Sequence, residues 1–231
     1  MIMWGKAKKL FQEIQSLADN CLTLIDEEGL FSDSFCDGFD NIAQKLNDFH
    51  IEIRTGATKG VIVPDDVNFV FKIPFLENEE GQEYRYDYCD LEACHYSRAK
   101  SQRLDNFFCQ TVYFDDIKTS CGSRIPVYIQ AKATSFSDLY DYDDKMPWNY
   151  PRKYLTKKAA TYTGTDRLPL LWISDFLEVY GEDNFDALGK FLDASDINDL
   201  HAANVGYNED AFPIIFDFSG FHDYTDETWS Y

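Results

Sequence analysis

The chain has 231 residues and sets 41 Asp and Glu against 21 Lys and Arg, a formal charge of 21 − 41 = −20. With 45% hydrophobic and 16% aromatic residues it can bury a large core, which excludes wholesale disorder despite the charge, and its length suits one large domain or two small lobes. So few cations disfavour direct binding to a nucleic-acid backbone, because such affinity comes from Lys and Arg displacing counterions, and favour a basic protein or a metal–nucleotide complex as partner.

The amino terminus carries Lys6, Lys8 and Lys9 but no apolar run long enough for a signal peptide or membrane span, so a cytoplasmic protein is expected. Residues 1–49 read as helical. Phe11, Ile14, Ala18, Cys21, Leu22 and Ile25 form one apolar stripe, and a second helix after Asp37 would bury Phe39, Ile42, Ala43, Leu46 and Phe49. The period changes near His50, where HIEIRT, GVIV and NFVFKIPF, separated by GATKG and PDDV, predict three antiparallel strands. One long helix is predicted from Asn78 to Arg103, with Tyr88, Leu91, Glu92, His95, Tyr96 and Ala99 at helical spacing. Residues 107–117 and 125–133 read as two further strands.

Beyond Ala133 the chain is less regular. DLYDYDD at 138–144 precedes a basic run with Lys145, Arg152, Lys153, Lys157, Lys158 and Arg167. Ser174 can cap a helix through Val179, and Asn184 to Leu192 predicts another with Phe185, Leu188, Phe191 and Leu192 inward. Short strands around 204–207 and 213–218 flank a turn at Asn208 to Ala211. Cys21, Cys36, Cys89, Cys94, Cys109 and Cys121 form no CxxC pair, so reduced thiols are expected in place of zinc or a disulfide framework.

The strongest chemical signal is DLHAANVGYNEDAFPIIFDFSG, residues 199–220. Asp199 and Asn204 are five apart, and Asn204 and Asp217 are thirteen apart across a predicted hairpin. Phosphoryl transfer needs these group types: a carboxylate to orient a hydroxyl and accept its proton, and an amide oxygen with a second carboxylate to hold magnesium on the phosphates. On these residues the chain resembles the protein kinase-like superfamily, more its compact bacterial and phage members and small-molecule phosphotransferases than eukaryotic kinases. The likeness extends upstream to VFKIPF, which puts Lys72 in a strand, and to Glu92, twenty residues on.

The resemblance implies an α+β, two-lobed protein kinase-like fold: an amino-terminal helical extension over 1–49, a five-stranded lobe with its helix over 50–133, and an abbreviated carboxy-terminal lobe over 134–231. It implies an ATP- and magnesium-dependent transferase. In that role Lys72 binds the α- and β-phosphates, Glu92 (or Glu83, one segment earlier) orients Lys72, Asp199 serves the acceptor hydroxyl, and Asn204 and Asp217 hold the metal. Gln130, Ala131 and Ala133 would be the hinge whose backbone meets adenine. Gly56 and Gly60 in TGATKG, with Lys59 at its tip, read either as a hairpin turn or as a phosphate-covering loop. His201 is either a structural hydrogen-bonding residue or a helper of charge stabilisation.

Departures from the family pattern narrow the expectation. Ile197 and Asn198 precede Asp199 where the family has His and Arg, and only 11 residues follow Gly220, which leaves no room for an activation segment. The acceptor is expected to be a protein or small-molecule hydroxyl, with nucleotidyl transfer also open. A contrasting expectation is a kinase-fold binding protein without required catalysis, of phage type, whose acidic surface occupies a basic groove on a host enzyme. The basic run at 145–167 could grip an anionic substrate, an acidic partner or nucleic acid, with Trp148, Tyr150 and Tyr154 interleaved for stacking, or could be a solvated loop.

Overall fold

A computed structural model describes residues 2–21, 51–55, 59–74, 87–118, 124–140 and 168–219. The expected helix after Asp37, Gly56, Glu83, the basic run at 145–167 and the tail from Gly220 lie outside these residues. The described elements are a mixture of helices and two antiparallel sheets, an α+β architecture. The chain divides into two compact units, Met1–Cys94 with Gln110–Lys132, and His95–Cys109 with Ala133–Tyr231.

In the first unit, helix α1 (Trp4–Cys21) precedes strands β1 (Ile51–Thr55), β2 (Lys59–Pro64) and β3 (Phe69–Pro74). Helix α2 (Tyr88–Ser101) follows, belonging to this unit as far as Cys94 and to the second from His95, then β4 (Thr111–Lys118) and β5 (Arg124–Ala131). The sheet order is β1-β2-β3-β5-β4. Period-two alternation sorts its side chains. Ile62, Phe69, Phe71, Ile73, Val127 and Ile129 form a buried core with Ile2, Ala7, Phe11 and Ile14 of α1. Burying each large apolar side chain contributes roughly 1.5–3 kcal/mol. A bulge between Tyr113 and Asp115 leaves Phe114 as the extra residue, and its ring packs edge-on against Phe11 and Phe71, each 5.3 Å away. The Gln15 side-chain amide donates to Lys118 O (2.7 Å) and accepts from Lys118 N–H (2.8 Å).

The predicted helix from Asn78 begins later, at Tyr88, because Asp87 caps it: its Oδ1 accepts from the N–H groups of Cys89 and Asp90, both at 2.9 Å. The run at 107–117 is also not one strand. Asp105–Phe107 is a 3-10 turn, and Phe107 and Phe108 serve the core of the second unit, where Cys109 N–H donates to Ile215 O at 2.8 Å.

The second unit contains β6 (Thr134–Ser135), the short α3 (Phe136–Leu139), α4 (Leu170–Tyr180), α5 (Glu182–Ala194), β7 (Val205–Tyr207) and β8 (Pro213–Ile215), with a β6-β7-β8 sheet. Helix α4 starts before Ser174, directly after Pro169, whose fixed φ suits a helix entrance, and buries Trp172, Ile173 and Phe176. Helix α5 buries Phe185, Leu188, Phe191 and Leu192. Trp172 Nε1 donates to Gly206 O at 2.9 Å. Position 206 admits only glycine without rearrangement, since a Cβ there would sit 1.9 Å from Thr134 O. Two residues past the end of α2 Arg103 takes φ 63°, and Leu104 N–H returns to Ala99 O at 2.8 Å, which satisfies a carbonyl of the last turn.

Candidate functional site

The sequence-derived residues fall into two groups, one in each unit. In the first, the register Val61↔Lys72 puts Lys59, two residues from Val61, on the same sheet face as Lys72. Gln130 lies opposite both Val70 and Thr111, which brings these side chains to that face as well. Glu92 reaches them from α2, in the buried stripe of Tyr88, Cys89, Glu92, His95 and Ala99. An acid inside such a stripe requires partners, because an unpaired buried carboxylate costs several kcal/mol.

Lys72 Nζ donates to Glu92 Oε2 at 2.7 Å, and Lys59 Nζ donates to the other oxygen, Oε1. All three are nearly inaccessible, with 2% of Lys72, 5% of Lys59 and none of Glu92 exposed. Gln130 Nε2 approaches Glu92 Oε2 at 3.3 Å and donates to Thr111 Oγ1 at 2.7 Å. Nearby, Tyr128 O–H donates to Asp87 Oδ2 at 2.8 Å. Burial, followed by the Asp87 charge and this hydrogen bond, raises the Tyr128 hydroxyl well above the ordinary tyrosine range. Burial likewise raises the Cys89 thiol, which keeps it protonated and unreactive. Cys109 is buried like Cys89, and Cys94 is exposed.

Lys59 opens β2, and Gly60 pairs with Thr55 and Ile73 at the base of the β1-β2 hairpin. The expected hinge is partly consumed by the ladder. Ala131 N–H donates to Gln110 O and Lys132 N–H to Asn68 O, both at 2.9 Å. Gln130 is paired on both sides, and its side chain serves Glu92 and Thr111. Ala133 lies past the strand end.

In the second unit, β7 and β8 form the expected hairpin, with Val205 opposite Ile215. The Asn204 carbonyl accepts from the N–H groups of Phe216 (3.0 Å) and Asp217 (3.2 Å), which holds Asn204 and Asp217 side by side. Asn204 Nδ2 donates to Asp199 O at 2.5 Å, and this fixes the amide so that Oδ1 is the atom turned away from Asp199 O. Phe218, beside Asp217, is fully buried edge-on against Phe108 at 5.0 Å and anchors the segment. His201 shapes the intervening turn. Its Nδ1 accepts from Ala203 N–H at 3.2 Å, which sets the ring proton on Nε2, and its carbonyl accepts from Asn204 N–H at 2.9 Å.

No three His, Cys, Asp or Glu side chains gather as a metal-ligand group among the described residues. An amide oxygen and one carboxylate still suit magnesium, which takes one or two protein oxygens and completes its shell with water and phosphate. Among the described residues no helix is long and apolar enough to cross a membrane. In comparison with known proteins, no family model and no curated protein matches the chain.

Proposed function

We propose that the chain is an ATP- and magnesium-dependent phosphotransferase with a two-lobed protein kinase-like fold, an abbreviated carboxy-terminal lobe and an amino-terminal helical extension. The observation that carries this reading is the buried ion pair of Lys72 and Glu92, the pair that the resemblance implies for orienting a phosphate-binding ammonium. Five antiparallel strands with helix α2 after the third, among the described residues, support it, as does the hairpin holding Asn204 beside Asp217. Lys72 binds the phosphates and Glu92 orients it. Asp199 positions the acceptor hydroxyl and takes its proton as the new oxygen–phosphorus bond forms and ADP leaves. Asn204 and Asp217 would hold magnesium, which supplies charge neutralisation on the phosphates.

The test is incubation of the protein and a cell lysate with ATP labelled separately at the α- and γ-phosphates. Transfer of γ-label that needs magnesium and is lost in Asp217→Ala is expected. Full transfer by Asp217→Ala, or transfer without metal, overturns the assignment, and transfer of α-label makes the enzyme a nucleotidyl transferase.

A second reading, an acidic protein that blocks a basic partner, is favoured by Asp193, Asp196, Glu209 and Asp210, all exposed on the second unit. Equal inhibition of a captured basic partner by wild type and Asp199→Ala would select it.

A further inference from the structure

We propose that Lys59 is a second phosphate-holding lysine that shares Glu92 with Lys72, so that the protein recognises its nucleotide by the number of phosphates. The proposal rests on the phosphotransferase reading above.

The carboxylate of Glu92 is divided between the two ammoniums, one oxygen to each. The arrangement is built from the sheet. Lys59 and Lys72 come from adjacent antiparallel strands, on one face, two residues out of direct register, and such diagonal neighbours lie about 7–8 Å apart at the backbone. Side chains as long as lysine converge from that separation on one acceptor between them. Gln130, itself tied to Thr111, approaches the Lys72-bound oxygen of the carboxylate, so the acid is positioned from the sheet as well as by its own helix.

A purely structural role explains this poorly. Orienting Lys72 requires one carboxylate and no second cation, and burying an extra ammonium costs several kcal/mol before its pairing is counted. The residues that follow Lys59 on the same face are Val61 and Val63, so an aliphatic side chain at 59 would continue the pattern at lower cost. What two ammoniums around one carboxylate can do is bind a polyanion at more than one oxygen, since each ammonium is a compact, rotatable set of donors. A nucleoside triphosphate offers charged oxygens on successive phosphates, whereas a nucleoside offers none. Lys59 therefore acts on the triphosphate and not on the base or sugar.

The test is equilibrium binding of magnesium-ATP and of adenosine to wild type, Lys59→Met, Lys72→Met and the double variant. Each single change is expected to weaken magnesium-ATP about tenfold or more, the scale of a charge-assisted hydrogen bond, with adenosine affinity unchanged. In the double variant magnesium-ATP should bind more weakly than in either single variant. If Lys59→Met binds magnesium-ATP like wild type while Lys72→Met loses it, or if it weakens both ligands alike, the proposal falls and the phosphotransferase reading stands. If wild type binds magnesium-ATP no better than adenosine, both fall. Circular dichroism checks folding, and Lys59→Gln, which keeps a donor toward Glu92, replaces Lys59→Met if that variant does not fold.

Discussion

In the first unit Lys59, Lys72, Glu92, Thr111 and Gln130 come from five different elements and meet through their side chains. In the second, Asp199, Asn204 and Asp217 come from one stretch around a hairpin and are tied largely through main-chain groups. In the first cluster the stability rests on Glu92, the buried carboxylate that both ammoniums share. The hairpin is held by main-chain hydrogen bonds, the Asn204 amide and the buried Phe218 ring.

The largest expected effect breaks the side-chain cluster. Glu92→Leu removes the carboxylate shared by two buried ammoniums and is expected to cost about 3–5 kcal/mol in chemical denaturation, whereas Asp217→Ala is expected to cost less because its backbone N–H still reaches Asn204. Similar losses in the two variants would erase the contrast. Next comes the backbone-held unit attacked through its backbone. Gly206→Ala drives a methyl into Thr134 O and is expected to destabilise by about 1–3 kcal/mol, read as a lowered denaturation midpoint.

Alkaline pH probes a weakness the units share. Tyr128 donates to Asp87, and Tyr207 to Asp175 at 2.5 Å; burial first, then the carboxylate, raises both hydroxyls. A raised folded-state value means the folded protein keeps a proton that the unfolded chain releases near pH 10. This contribution to stability is thus complete below about pH 10 and is lost as pH rises above it. Melting temperature should decline from there upward, and Tyr128→Phe should flatten the decline. The smallest effect is a gain. Arg103→Gly relieves a left-handed residue just past the end of α2 and should add about 1 kcal/mol in the same denaturation assay.

Much of this contrast could be read in the sequence. The short apolar or alternating runs HIEIRT, GVIV and NFVFKIPF announce strands, and Glu92 announces itself as an acid inside a buried helical stripe. The 199–217 spacing is legible because a hairpin is local. The place of Lys59 is not, because it depends on the register of β2 against β3 and on where the preceding turn closes, and periodicity reports neither. Apolarity also does not say which core a residue serves, so Phe107 and Phe108 look like the start of β4 while belonging to the second unit. Ser174 has the chemistry of a cap, but Trp172 and Ile173 already lie in the helix stripe, and Pro169 sets the entrance.

The paired hydrogen bonds between Gln15 and Lys118 have a consequence for how the molecule behaves among other copies of itself. Among the described strands β4 lies at the edge of its sheet, and an edge strand invites a neighbouring chain to add on through its N–H and C=O groups. The amide of Gln15 offers Lys118 one donor and one acceptor, just as a residue on an adjoining strand would. A single side chain on α1 thus stands in for a missing strand, and the helix that seals the back of the sheet also guards the end of its border against self-association.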